Sequence, residues 1–90
     1  MRYLFVTHRH VPLDLADDYL VAWAALRTAA ESAGGRAWVF QGTTHEDRFL
    51  EFIEWSGPAA PLDEPGVMAA LTQLEGFGPA TEAAEWEEAT

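Results

Sequence analysis

A chain of 90 residues with no cysteine, no lysine and a net charge of −10 excludes several classes of protein at once. No disulfide or thiolate metal site can form, and no thiol can serve as a nucleophile. Five arginines against fifteen acids leave no basic stripe for nucleic acid or for an anionic membrane surface.

Ninety residues are expected to make one domain, 1–90. A core of that size buries only roughly 60–65% of the unfolded surface, so a partner subunit or a non-thiolate metal is expected to help. The N-terminus has neither the apolar core nor the cleavage site of a signal peptide, and no run approaches the roughly 20 apolar residues of a membrane span. Cytoplasmic residence is therefore the expectation. The charge is lopsided: all five arginines lie in residues 1–48 with six acids, whereas residues 49–90 hold nine acids and no base. Such acidity serves solubility, or it presents an acidic docking surface.

The first segment, Arg2 to His10, reads as a strand with Tyr3, Phe5, Thr7 and Arg9 on one side and Leu4, Val6, His8 and His10 on the other. Both sides are largely apolar, which predicts cover on both faces. Val11-Pro12 closes it. A helix follows, with Asp14 expected as N-cap and Asp17 and Asp18 at the positive end of its dipole. Leu15, Tyr19, Ala22, Leu26, Ala29, Ala30 and Ala33 form its stripe, widened by Leu20 and Trp23, and Gly34-Gly35 stops it. Arg36 to Gly42 and Arg48 to Trp55, joined by the polar Thr43 to Asp47, read as a hairpin. In the second arm Phe49, Glu51, Ile53 and Trp55 share one face, and Leu50, Phe52 and Glu54 the other. After a Pro- and Gly-bearing loop, a shorter helix is expected from Asp63–Pro65, with Val67, Leu71 and Leu74 as its stripe. The tail TEAAEWEEAT has a helical composition, yet Ala84, Trp86 and Glu88 alternate as an edge strand would; the strand is preferred because the fold needs one there.

This order predicts an α+β, ferredoxin-like βαββαβ fold with one antiparallel sheet in strand order 4-1-3-2. Right-handed crossovers place both helices on one face, so the other apolar face needs a cover. A second copy packed sheet on sheet is the economical one, which predicts a homodimer.

The opening strand RYLFVTHRHVP, the helix LADDYLVAWAALRTAAESAGG and the pair RAWVFQGTTHEDRFLEFIEW together resemble the dimeric α/β-barrel superfamily. Within it they resemble the antibiotic-biosynthesis-monooxygenase-like proteins, over nearly the whole chain in element order and length. The resemblance implies fold and dimer, and it allows cofactor-free oxygenation among several chemistries. Haem-degrading members use a second-helix histidine, and Pro65 to Phe77 has none. Cofactor-free members hold substrate with Trp, Asn and Tyr side chains; with no asparagine in the chain, that set does not carry over intact.

His8 and His10, two apart on a strand, share a face. The predicted topology brings the loop Thr43 to Asp47 to the same end of the sheet, so His45, Glu46 and Asp47 approach that rim. His8, His10 and His45 are accordingly the candidate acid–base residues. No metal is expected; if one binds, His8, His10, His45 and Asp47 are the ligand set. The plainer alternative has these histidines ending a strand at the surface beside Asp or Glu. Trp23, Trp38 and Tyr19 are the candidate substrate-binding residues for a flat organic molecule in a pocket between sheet and helices, or else they are packing. Glu51 and Glu54 are either a buried base, or they sit near the sheet edge in water or pair with Arg2 or Arg36 across strands. No phosphate-cradling glycine loop, nucleophile elbow or triad spacing occurs, and Gly34-Gly35 and Gly76-x-Gly78 read as helix stops. The expected activity is that of an enzyme-like dimer, without organic cofactor, on a small hydrophobic or aromatic molecule, such as a cofactor-independent monooxygenase. The alternative is a non-catalytic ligand-binding or assembly dimer.

Overall fold

The β-rich runs become strands at the expected places in the computed structural model, which describes residues 1–90. The order is β1 (Arg2–His10), α1 (Ala16–Ser32), β2 (Arg36–Gln41), β3 (Arg48–Ser56), α2 (Pro65–Glu75) and β4 (Ala80–Glu87). Single 3₁₀ turns at Leu13–Leu15 and Pro61–Asp63 lead into the two helices. The four strands form one antiparallel sheet in the order β2-β3-β1-β4, the predicted order read from the other edge. No helix is long and apolar enough to cross a membrane.

The start of α1 departs from expectation. Asp14 is not its N-cap: Pro12 is extended, the Leu15 N–H bonds to the Pro12 carbonyl at 2.9 Å, and the helix begins at Ala16 behind an uncapped Leu15. The proline lets a 3₁₀ turn use the backbone where a side chain was anticipated. Asp17 and Asp18 do occupy the first turn. At the far end Gly34 takes φ +86°, a left-handed conformation that glycine adopts without strain, and Gly35 N–H returns to the Ala30 carbonyl at 2.8 Å.

The tail is a strand. Leu4 faces Trp86 and Val6 faces Ala84 across β1 and β4. Pairing there gives β1 a neighbour on both edges, which outweighs the helical composition of the segment.

Helix stripe and sheet face close on a core of fourteen buried residues, with Tyr19, Trp23, Leu26 and Ala30 of α1 and Val67, Ala70 and Leu74 of α2. Ala37, Phe49, Ile53 and Trp55 meet them from the sheet. The opposite sheet face carries Leu4, Val6, Trp38, Phe40, Leu50, Phe52, Ala84 and Trp86, as the strand registers require. Phe40 and Trp86 there are 57% and 58% exposed, and Phe40 meets Phe52 edge-on at 5.6 Å.

Candidate functional site

The register of β1 on β3 sets the rim. His8 lies opposite Leu50 and His10 opposite Arg48, so both imidazoles stand on the open face at the end of the sheet where the β2–β3 hairpin turns. The hairpin is held by two backbone bonds, Gly42 N–H to the Arg48 carbonyl at 2.8 Å and Arg48 N–H to the His45 carbonyl at 3.0 Å. A third bond, from Val11 N–H to the Asp47 carbonyl at 2.8 Å, ties it to the end of β1. The result is a cleft of about 570 Å³ lined by His8, Arg9, His10, His45, Asp47, Arg48, Phe49 and Thr81. All three histidines of the chain therefore line one opening, as the topology predicted.

Within the cleft, His10 Nε2 lies 2.5 Å from Asp47 Oδ2. That hydrogen bond from His10 holds the Asp47 carboxyl below its usual pKa of 3.8. His8 and His45 have no side-chain hydrogen-bond partner within the chain, and both are exposed. Thr81 donates its hydroxyl to the His8 carbonyl at 3.2 Å. It does so at a register shift in β4, where pairing steps from His8–Glu82 to Arg9–Ala80. Such a bulge turns a side chain toward the rim. No three His, Cys, Asp or Glu side chains are grouped to hold a metal ion, so His8, His10, His45 and Asp47 share a cleft without closing on one point.

A second cavity, of about 320 Å³, lies on the open sheet face between Leu4, Val6, His8, Leu50, Phe52, Glu82, Ala84 and Trp86. Six of these eight residues are apolar, and His8 belongs to both openings. An apolar trough thus runs along the face and ends at the histidines.

Tyr19, Trp23 and Trp38 do not come together. Tyr19 and Trp23 are buried in the helix layer, whereas Trp38 pairs with Phe52 and so lies on the open face. The space between sheet and helices, expected to hold the pocket, is filled by Tyr19 against Phe49 at 4.7 Å and by Trp23 beneath the Arg27 guanidinium at 4.8 Å. The Trp23 indole N–H is buried without a partner.

That interior also contains a polar cluster whose key member, Arg9, was not singled out from the sequence. The Arg9 guanidinium grips the Glu51 carboxylate twice, Nε to Oε2 at 3.1 Å and Nη2 to Oε1 at 3.2 Å, and donates to the Gly78 carbonyl at 2.7 Å. Tyr19 donates its hydroxyl to the same Glu51. Arg9 and Glu51 are each 3% exposed. Burial opposes the charge on Arg9, but hydrogen bonding and the negative charge of Glu51, with Glu75 nearby, raise its pKa. Burial, then the bond to Glu51, raises that of Tyr19 above the phenol range. Glu51 is thus ion-paired, with Arg9 and not with Arg2 or Arg36. Thr7 lies directly opposite Glu51, and Arg9, two residues further on the same face, reaches it diagonally. Glu54, on the other face, lies 3.9 Å from Arg2, as expected. One signal could have found the cluster: an arginine and a glutamate on the core sides of two neighbouring strands.

No family model and no curated protein sequence matches the chain. Solved structures do. SnoaB, a cofactor-independent oxygenase from Streptomyces nogalater, is 16% identical, with a TM-score of 0.82 over 99% of this chain and 94% of its own. A Nitrosomonas europaea protein, provisionally assigned as an antibiotic biosynthesis monooxygenase, is 13% identical, with a TM-score of 0.80 over 98% of this chain and 90% of its own. A conserved protein from Methanosarcina mazei Go1 is 10% identical, with a TM-score of 0.84 over 98% and 93%. From sheet order, helix placement and these likenesses together, the chain has the ferredoxin-like α+β fold of the antibiotic biosynthesis monooxygenases.

Proposed function

We propose that the protein is a homodimeric, cofactor-independent monooxygenase acting on a small aromatic molecule at the histidine rim. The observation that carries this reading is the junction of the two openings at His8. An apolar trough suits a flat ring system, and imidazoles stand where its reacting edge would lie.

Oxygenation without a cofactor requires a substrate that itself supplies electrons to dioxygen, which selects an enolisable aromatic ketone or related phenol. A base takes the proton from the activated CH₂, and the carbanion passes an electron to O₂. Recombination gives a hydroperoxide. Loss of the second C–H proton and of hydroxide then leaves C=O and water, so R₂CH₂ plus O₂ becomes R₂C=O plus H₂O. In this reading His8, exposed and shared by both openings, is the base. His45 protonates the departing hydroxide, and His10, held by Asp47, shapes the cleft wall. Dimerisation roofs the trough. A face four strands wide, with strands of six to nine residues, measures roughly 26 by 19 Å on average. Two copies would then bury about 1,000 Å², near the lower bound for a specific interface.

The test is dioxygen uptake in chelator-treated buffer with an enolisable polycyclic aromatic ketone. The expected result is one O₂ consumed per carbonyl formed, with a rate that falls by roughly 10²-fold in His8→Ala. Uptake no faster than in buffer alone, across a panel of such ketones, rejects the reading. A second reading is a non-catalytic ligand-binding or assembly dimer. What favours it is the filled interior together with the exposure of His8, His10 and His45.

A further inference from the structure

Arg48 is conspicuous in a chain with three carboxylates for every guanidinium. Arg2 is paired with Glu54 and Glu88, Arg9 with Glu51 and Glu75, and Arg27 is spent on the Ala37 carbonyl and the Trp23 ring. Arg48 makes no ion pair and no side-chain hydrogen bond, although it lines the rim cleft. Its backbone is fixed at both groups, through His45 and Gly42, so its side chain springs from a rigid base beside His10. The cleft therefore holds an unpaired guanidinium fork, and fork geometry matches a carboxylate.

We propose that Arg48 anchors an anionic group, a carboxylate, on the aromatic substrate. This deepens the site assigned under Proposed function and rests on that assignment. The charges that oppose it are Asp47 and Glu46 on the hairpin and Glu82 across from His8. Asp47 is engaged by His10. Glu46 and Glu82 are exposed, so solvent and salt screen their charges. Arg48 thus sets specificity for acids over neutral molecules of the same shape, and the apolar trough accepts the rings of either.

The experiment is calorimetric or fluorescence titration of the wild-type protein, Arg48→Gln and Arg36→Gln with 2-naphthoate and 2-naphthamide, which share a ring system and differ in charge. Arg36 is also free of ion pairs but lies away from the rim, beside Trp38 and Glu31, so its variant controls for net charge. The expected result is that wild type and Arg36→Gln bind naphthoate at least about tenfold more tightly than naphthamide. In Arg48→Gln that preference is lost and naphthamide affinity is unchanged, which also reports an intact trough. Equal affinity of wild type for the two probes, or a preference that survives in Arg48→Gln, overturns the anchor and leaves the aromatic site standing. Binding of neither probe removes the aromatic site and the anchor with it.

Discussion

Arg9 sits at the end of a strand with a 2% exposed side chain, and the cost of that burial explains the company it keeps. Removing one partner strands the other, so Glu51→Gln is expected to lower unfolding free energy by about 3–5 kcal/mol in urea titration. Tyr19→Phe, which deletes only the hydroxyl donated to Glu51, should cost about 1.5–3 kcal/mol. Replacing both charges, as in Arg9→Met with Glu51→Leu, should cost less than Glu51→Gln alone; a larger loss would show that the pair is net stabilising. Asp47 gives the pH-dependent counterpart. Its carboxyl is held below 3.8 by His10, so the contribution is present above 3.8 and is lost as pH falls through the lowered folded-state value. The melting-temperature gap between wild type and Asp47→Asn should therefore be open above pH 3.8 and close in more acidic buffer. A gap that widens as pH falls below 3.8 contradicts the His10–Asp47 bond. At this scale the sequence exposed the histidines, because their spacing and the topology suffice to gather them. It did not expose Arg9, because only the diagonal offset between β1 and β3 makes Glu51 its partner.

The strands and helices were legible almost to the residue, since each carries its own period and its own stop. The misjudged point is a position where backbone geometry overrides side-chain type. Asp14 loses the helix start to the turn set by Pro12. Gly78, read as part of a helix stop, does follow the end of α2 and is also required by close packing: a Cβ there would stand 2.0 Å from the His10 carbonyl oxygen. Gly78 is also where Arg9 anchors, so the approach of the α2–β4 connection to β1 holds core cluster and rim together. Gly78→Ala should destabilise by about 1–3 kcal/mol. Gly66→Ala in α2, where the added Cβ would meet nothing nearer than the Ala29 Cβ of α1 at 3.8 Å, should stabilise by roughly 0.5–1 kcal/mol. Equal effects of the two substitutions would contradict the packing of Gly78 on β1. The tail was ambiguous for a different reason: its composition is helical, and only the unmet edge of β1 decides for a strand.

For the whole molecule, the unresolved economy is the open sheet face. Eight apolar side chains there have no helix above them, whereas the other face carries the whole fourteen-residue core. That imbalance was visible in the sequence as strands apolar on both sides, and the position of the pocket was not. Nothing in the spacing of Tyr19, Trp23 and Trp38 tells that the sheet will part them, or that aromatic packing will fill the helix layer and leave the rim and trough as the openings. A second copy on the open face would bury Phe40, Phe52 and Trp86 and roof the trough beside His8. With −10 on each copy, mutual repulsion opposes association, and added salt should tighten it. Native mass spectrometry at micromolar protein, with wild type beside Phe52→Glu, tests this most directly. The account predicts twice the 9.9 kDa chain mass for wild type and a monomer for Phe52→Glu. A wild-type monomer, or a dimer indifferent to Phe52→Glu, would contradict it, because the apolar face would then have another role.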